Sequence, residues 1–204
     1  MPGCKVTRYR DSARARLQDA IVDAARELTI AHGWDAVRMA QVAERVGVSR
    51  QTVYNEFAGK PGLAEALAQR EVARFVADVR THLFAHGADV PAGAHAAILH
   101  VLREAAGNPL IKAILTSARD GTDPLLPFLT TRAEVVLVAA TEVLTEWAHT
   151  HLPAVDEVEF RQAAESIIRL VVSHIVLPTA PVEQTARHLA TLAATLLSPL
   201  IKEV

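Results

Sequence analysis

The stretch that decides the fold is 39–63, which reads MAQVAERVGVSRQTVYNEFAGKPGL. Its apolar residues recur at the three- and four-residue spacing of helices, and Gly47 interrupts that recurrence. Ser49 follows the glycine and can cap a new helix by accepting a hydrogen bond from an unpaired backbone amide. The pattern predicts one helix over 39–46, a turn, and a second helix over 50–57, which is the arrangement of a helix-turn-helix.

The second of these helices has an apolar side and a polar side. Its polar side carries guanidinium, amide, hydroxyl and phenol groups, which hydrogen-bond to base edges and phosphates, and one helix fits the major groove of DNA. The residues on that side are Arg50, Gln51, Thr52, Tyr54 and Asn55. Short helix pairs around a glycine also occur in bundles that bind no DNA, so the pattern alone leaves both interpretations open.

The rest of the chain predicts an all-α protein, because Ala, Leu, Glu and Arg dominate and no strand-like alternation is present. Breaks at glycines and prolines predict further helices near 92–106, 109–118, 125–150, 156–177 and 182–203. Pro199 is expected to kink or fray the last of them. The predicted organisation is a flexible basic arm (1–13), a helix-turn-helix domain (14–60), a connecting helix (61–86) and a C-terminal helical domain (87–204).

Charge is distributed unevenly along the 204 residues. Residues 1–70 carry a balance of +3 and residues 71–204 a balance of -5, which suits a protein that meets phosphate at one end only. The single cysteine, Cys4, predicts no intrachain disulfide. No run of apolar residues is long enough to span a bilayer and no signal peptide is evident, so we expect a soluble, cytoplasmic protein without a membrane partner.

The helix-turn-helix belongs to a longer string of residues, which reads Ile21-x-x-Ala24-Ala25, Leu28, His32-Gly33-Trp34, Val42-Ala43, Gly47-Val48-Ser49 and Thr52-Val53-Tyr54-x-x-Phe57-x-x-Lys60-x-x-Leu63. With this string, residues from about 14 to 70 resemble the DNA-binding head of the TetR family of bacterial regulators. The resemblance implies operator DNA as a partner.

The same resemblance assigns roles to single residues. Base contacts are implied for Arg50, Gln51 and Asn55, and phosphate contacts for Thr52, Tyr54 and Lys60. The chain departs from the family pattern at the start of the second helix, where many members have Thr or Ser. Here Arg38 stands in that region; its charge can replace the phosphate contact, but the side-chain cap is lost.

In the family, the C-terminal domain encloses a ligand cavity. The apolar composition of 87–204 therefore implies a lipophilic small-molecule effector. The pocket wall is expected to be apolar, with a few polar side chains such as histidine or arginine. The residues predicted for this pocket are His100, Ile111, Leu115, Phe128, Arg132, Trp147 and His174.

The last two predicted helices are apolar on more than one side, which predicts burial against a second subunit. The expected partner is a second copy, since a two-fold dimer suits a two-fold operator. The residues predicted for this interface are Ile168, Val172, Leu189, Leu192 and Leu196.

No other function class is favoured by the sequence. His82 and His86 share a helix face, but further ligands are lacking, so neither a metal nor a cofactor is expected. No glycine-rich phosphate loop or nucleophile elbow is present, so we expect no enzyme. The sequence predicts a ligand-released repressor; the alternative is an all-helical small-molecule-binding or scaffold protein without DNA contact.

Overall fold

The computed structural model describes the backbone of residues 3–108, 110 and 133–202, and the side chains of 11–108, 110 and 136–201. All regular structure in these ranges is helical, which confirms the all-α prediction. A short 3-10 turn, Trp34–Ala36, lies between the first two helices. The helices are α1 (Gly3–His32), α2 (Met39–Val46), α3 (Arg50–Phe57), α4 (Lys60–Phe84), α5 (Val90–Gly107), α6 (Ala133–His151), α7 (Glu157–Val176) and α8 (Val182–Lys202).

The boundaries agree best with the sequence around the helix-turn-helix, where α2 and α3 begin and end at the predicted residues. The backbone of 3–13, predicted to be an arm, is helical and continues into α1. The predicted helix 109–118 and the first part of 125–150 lie outside the described residues. Helix α8 runs through Pro199 to Lys202 instead of ending there.

Helix α5 begins earlier than the sequence predicts, and its N-terminus explains why. The Asp89 carboxylate accepts a hydrogen bond from the Ala92 backbone N–H at 3.0 Å, which caps the helix. Pro91 then lies in the first turn, where its missing N–H removes no intrahelical bond. The proline that marks a break in the sequence is therefore part of the helix.

The chain divides into two compact units, Met1–Arg70 and Glu71–Val204, with the division inside α4. The core of the first unit takes fully buried side chains from each of its four helices: Ile21, Ala25, Val42, Val53 and Leu63. Because Val53 anchors the inner side of α3 in this core, the polar side of α3 faces solvent.

The second unit packs α5 along α8 and α6 along α7. Its largest fully buried side chains are Trp147 of α6, Phe160 of α7 and Leu189 of α8. The Trp147 indole N–H donates to the Gly87 carbonyl at 3.0 Å, so the polar atom of this large ring is satisfied inside the unit. None of the described helices is long and apolar enough to cross a membrane.

Candidate DNA-binding surface and candidate ligand cavity

The turn between α2 and α3 depends on Gly47, whose φ of 75° lies in the left-handed region that favours glycine. Its N–H donates to the Glu44 carbonyl at 3.1 Å, and the Val48 N–H donates to the Ala43 carbonyl at 3.0 Å, which closes the end of α2. The Ser49 hydroxyl then accepts from the Thr52 N–H at 3.0 Å and caps α3. These bonds fix where α3 begins.

Four of the predicted DNA contacts, on α3, are exposed and paired with one another. The Arg50 guanidinium donates to the Tyr54 hydroxyl at 3.1 Å and lies 5.2 Å from the centre of the Tyr54 ring. The Gln51 amide nitrogen donates to the Asn55 amide oxygen at 2.8 Å. Within each pair the two residues are four positions apart, so their side chains are neighbours on the helix surface. Thr52, the remaining predicted contact on α3, is half-buried, and its hydroxyl lies 2.9 Å from the Ser49 hydroxyl.

Lys60 and Arg38, both predicted phosphate contacts, come together although they are far apart in the sequence. Lys60 Nζ and Arg38 Nη1 both donate to the Asp35 carbonyl oxygen, at 3.2 Å and 3.3 Å. The Lys60 ammonium also lies 5.1 Å from the centre of the Trp34 ring. We call Lys60 and Arg38 the cation pair.

Electrostatics make the cation pair a candidate anion site. Partial burial lowers the pKa of Lys60, and the neighbouring charge of Arg38 lowers it further, whereas Asp35 acts in the opposite direction. Two cations on one carbonyl repel each other, and a bound phosphate would relieve that repulsion. The arrangement can therefore bind one phosphate of a DNA backbone.

Arg38 is also the N-cap residue of α2, where the sequence predicts a lost cap. Its side chain provides no cap, but its backbone N–H donates to the Gln41 side-chain oxygen at 2.9 Å. This bond is half of a capping box. A glutamine three residues after the cap position is the sequence feature from which it could have been predicted.

Glu56 is a residue that the sequence reasoning missed. Its carboxylate oxygen accepts from Arg14 Nε and from Gln18 Nε2, both at 2.8 Å, and so connects α3 to α1. An exposed ion pair of this kind stabilises little on its own, but two donors on one oxygen restrict how α3 is oriented. Both donors lie on α1, and sequence spacing alone does not bring them to α3.

The second unit contains a cavity of about 110 Å³. Helices α4 to α8 all contribute to its wall, and every described residue that lines it is apolar. Three aromatic rings take part, those of Phe75, Trp147 and Phe160. Since an apolar cavity of about 150 Å³ can hold benzene, this volume suits a small or narrow apolar molecule.

Among the three predicted pocket residues that the structure describes, only Trp147 lies in this wall. His100 and His174 are not among its described lining residues. The His174 ring nitrogen Nδ1 lies 3.0 Å from the Leu170 carbonyl of its own helix. The other four predicted positions, Ile111, Leu115, Phe128 and Arg132, lie outside the described residues.

His100 packs against a second histidine instead of lining the cavity. Its ring centre lies 4.4 Å from that of His82, and its Nε2 atom is buried without a hydrogen-bond partner in the part of the chain that the structure describes. Burial lowers the pKa of His100 and the adjacent His82 lowers it further. Within the described ranges, no three His, Cys, Asp or Glu side chains form a group that could hold a metal ion.

The predicted interface residues divide into two sets. Leu192 and Leu196 of α8 are exposed, at 41% and 44%. Ile168 and Val172 of α7 line the cavity, and Leu189 is only 2% exposed. Leu189 therefore packs inside its own chain, whereas Ile168 and Val172 are half-buried beside the cavity, and their place in an interface stays a prediction.

Comparisons with known proteins agree with this architecture. Residues 21–67 match the model of bacterial regulatory proteins of the tetR family, and residues 89–195 match that of the bacterial tetracyclin repressor C-terminal domain. The HTH-type transcriptional regulator AlkX of Mycobacterium tuberculosis is 30% identical over 185 residues, which cover 90% of this chain and 86% of that protein.

Two solved structures are also similar to this chain in fold. The crystal structure of a TetR family repressor AlkX from a Dietzia strain, implicated in the biodegradation of n-alkanes, has a TM-score of 0.69 and 30% identity, and covers 91% of this chain and 97% of its own. The fatty acid degradation regulator FadR of Bacillus halodurans has a TM-score of 0.61 at 18% identity, covering 86% and 93% of the two chains, and shares the fold. With its helix-turn-helix, its helical C-terminal unit and these relatives, the chain belongs to the TetR family of helix-turn-helix transcriptional regulators.

Proposed function

We propose that this regulator is a repressor that binds its operator as a homodimer and leaves the DNA when an uncharged, lipophilic molecule enters the cavity of the second unit. The apolar wall of that cavity is the observation that carries the proposal. A charged ligand buried there without a partner would lose its hydration, which costs roughly several kcal/mol of binding free energy. Each buried methylene group of an apolar ligand instead contributes about 0.8 kcal/mol of favourable free energy.

An aliphatic chain is the favoured ligand class. The cavity is built from side chains of five helices and Trp147 closes part of it with its N–H already bonded to Gly87. The Dietzia relative, at 30% identity, is a repressor implicated in the biodegradation of n-alkanes. A hydrocarbon or a close derivative therefore suits the apolar cavity wall and is also consistent with the similarity to the Dietzia repressor.

The DNA side of the proposal rests on the first unit. Exposed α3 side chains would contact base edges in the major groove, and the cation pair would contact a phosphate beside it. In a two-fold dimer, two α3 helices would enter successive major grooves about 34–36 Å apart. The exposed Leu192 and Leu196 of α8 are the proposed centre of the dimer interface.

Release follows from linkage. A ligand that relieves repression must bind the DNA-free form more tightly than the DNA-bound form, and DNA must weaken ligand binding by the same factor. The proposed mechanism is thus a shift between two conformations of the dimer, with no chemical step.

The test uses a gel shift with a duplex selected from a randomised pool, in the absence and presence of n-pentane, a chain short enough for a cavity of about 110 Å³. We expect pentane to raise the melting temperature of the protein and to weaken duplex binding over the same concentration range. Ala140→Phe places a ring into the cavity wall of α6, and should abolish both effects while the protein still binds the duplex. Val138→Phe is the matched control, because Val138 lies on the same helix and is 56% exposed.

The same assay examines the alternative of a helical binding protein without DNA contact. Lys60→Ala should weaken binding to every duplex to a similar degree, because phosphate contacts carry no sequence information. Arg161→Ala on α7 is the control for the loss of one exposed cation. Absence of duplex binding by the parent protein would support the alternative, and pentane binding without any effect on DNA affinity would remove the ligand-release mechanism.

A further inference from the structure

Gln51 and Asn55 form an amide pair on the exposed side of α3. The two side chains are four residues apart, both exposed, and joined by a hydrogen bond of 2.8 Å from Gln51 Nε2 to Asn55 Oδ1. Bases are recognised by the donor and acceptor pattern of such groups, so the direction of this bond has consequences for the base that they can bind.

The bond leaves the Asn55 amide with a donor and an acceptor still available. An amide group has two N–H donors and an oxygen with two lone pairs. Gln51 uses one lone pair of the Asn55 oxygen, so the second lone pair and both hydrogens of Nδ2 remain. The donor from Gln51 also orients the Asn55 amide, because turning the Asn55 amide alone by half a turn would bring two N–H groups together; the reverse bond would require both amides to turn.

An amide held in this way is complementary to adenine. The major-groove edge of adenine presents an N6 amino donor beside an N7 acceptor, which an amide oxygen and an amide N–H can bind together. Guanine presents two acceptors, O6 and N7, so the Asn55 oxygen would face another oxygen. We propose that Asn55, oriented by Gln51, recognises one adenine in each half of the operator; this specificity rests on the operator binding proposed above.

The two residues have different roles. Asn55 is the contact residue, and Gln51 is a positioning residue that acts through the Asn55 amide. Gln51→Glu separates these roles, because a carboxylate only accepts hydrogen bonds and would attract the Asn55 N–H groups instead of its oxygen. The amide would then place its nitrogen where it faces the N6 amino group of adenine and its oxygen where it faces N7, so the match to adenine would be lost.

The experiment starts with selection of duplexes from a randomised pool by the full-length protein. At the selected adenine, competition binding then compares adenine with guanine, with 7-deazaadenine, which lacks the N7 acceptor, and with purine, which lacks the N6 amino group. Each replacement should weaken binding of the parent protein about 5- to 150-fold. Asn55→Ala should bind the four duplexes within a factor of about two, and Gln51→Glu should lose most of the preference for adenine although Asn55 is still present.

Gln69→Ala is the matched control. Gln69 is an exposed amide on α4 whose nitrogen lies 3.4 Å from the Glu65 carboxylate at the same four-residue spacing, and its loss should leave the adenine preference unchanged. Asn55→Ala with an intact adenine preference at every selected position would overturn the inference while leaving operator binding in place. If the parent protein enriches no duplex at all, the proposed function fails as well.

Discussion

At the scale of single residues, Lys60 combines two properties that sequence alone does not predict together. The family resemblance implies a phosphate contact, and the structure adds that the ammonium is held by the Asp35 carbonyl and the Trp34 ring. A lysine that is already ordered loses less rotamer entropy when it binds, since that entropy was lost on folding. Trp34 was visible in the sequence as part of the family string, but its position under Lys60 depends on tertiary packing.

His100 provides a prediction about pH. Burial and then His82 lower the pKa of His100, whereas Glu104 and Asp78 act in the opposite direction. In the unfolded chain His100 binds a proton at about pH 6.5, whereas in the folded protein it binds the proton only at lower pH. Stability should therefore be highest above that value and should decrease as the pH falls from it toward the lowered pKa.

The measurement is the urea midpoint of unfolding at pH 7.5 and pH 5.5. The decrease between the two should be smaller in His100→Gln, which carries no titrating ring. His188→Gln, on the exposed side of α8, is the control and should keep the full decrease. An equal decrease in the parent protein and in His100→Gln would contradict this assignment.

At the scale of elements, local sequence predicted α2 and α3 to the residue because their ends are defined by local chemistry. Gly47 and Ser49 form the turn and the cap with neighbours at most four residues away. The start of α5 was placed too late, because Pro91 was interpreted as a break although a first turn tolerates it. Glycine and proline thus indicate where a helix can begin or end. The cap residue, here Asp89, determines where α5 begins.

The junction between α3 and α4 carries a prediction about packing. A Cβ atom added at Gly62 would overlap the Phe57 carbonyl oxygen, which is backbone and cannot move aside by rotating. Gly62→Ala should therefore destabilise the protein by about 1–3 kcal/mol and weaken duplex binding, because α3 must shift. At Gly107, the last residue of α5, an added Cβ would meet no atom of the described residues within 4 Å.

Chemical denaturation followed by circular dichroism compares the two alanine variants. Gly107→Ala should unfold at or above the denaturant concentration of the parent protein, since alanine favours helix. If Gly62→Ala unfolds at the same concentration as the parent, the overlap is relieved by backbone movement and the junction is less tightly packed than described.

At the scale of the whole molecule, the sequence predicted a cavity and a dimer but not which residues serve each. Helix α7 is apolar on more than one side, and hydrophobicity gives no sign of whether a side faces the same chain or a partner. Ile168 and Val172 were predicted for the interface, and the structure shows that they also line the cavity. The lipophilic wall was predictable because apolar composition is a property of the sequence, whereas its shape arises from five packed helices.

The proposed homodimer predicts a mass near twice the 22.0 kDa of one chain in light scattering. Replacing both exposed leucines of α8, in Leu192→Glu with Leu196→Glu, should shift the mass toward a single chain, since buried carboxylates would face each other. Val158→Glu is the control, because Val158 is 64% exposed on α7 and outside the proposed interface. A parent protein that remains a single chain at all concentrations would contradict the dimer.

The two tryptophans of the chain lie in different units, and this has a practical consequence. Trp34 lies beneath the Lys60 ammonium, and Trp147 lines the cavity with its N–H bonded to Gly87. Each is thus a natural fluorophore beside one of the two proposed events. With the other replaced by phenylalanine, Trp34 emission should respond to phosphate near Lys60, and Trp147 emission to the polarity of whatever fills the cavity. Two single-tryptophan variants would then report DNA occupancy and ligand occupancy separately, without any attached label.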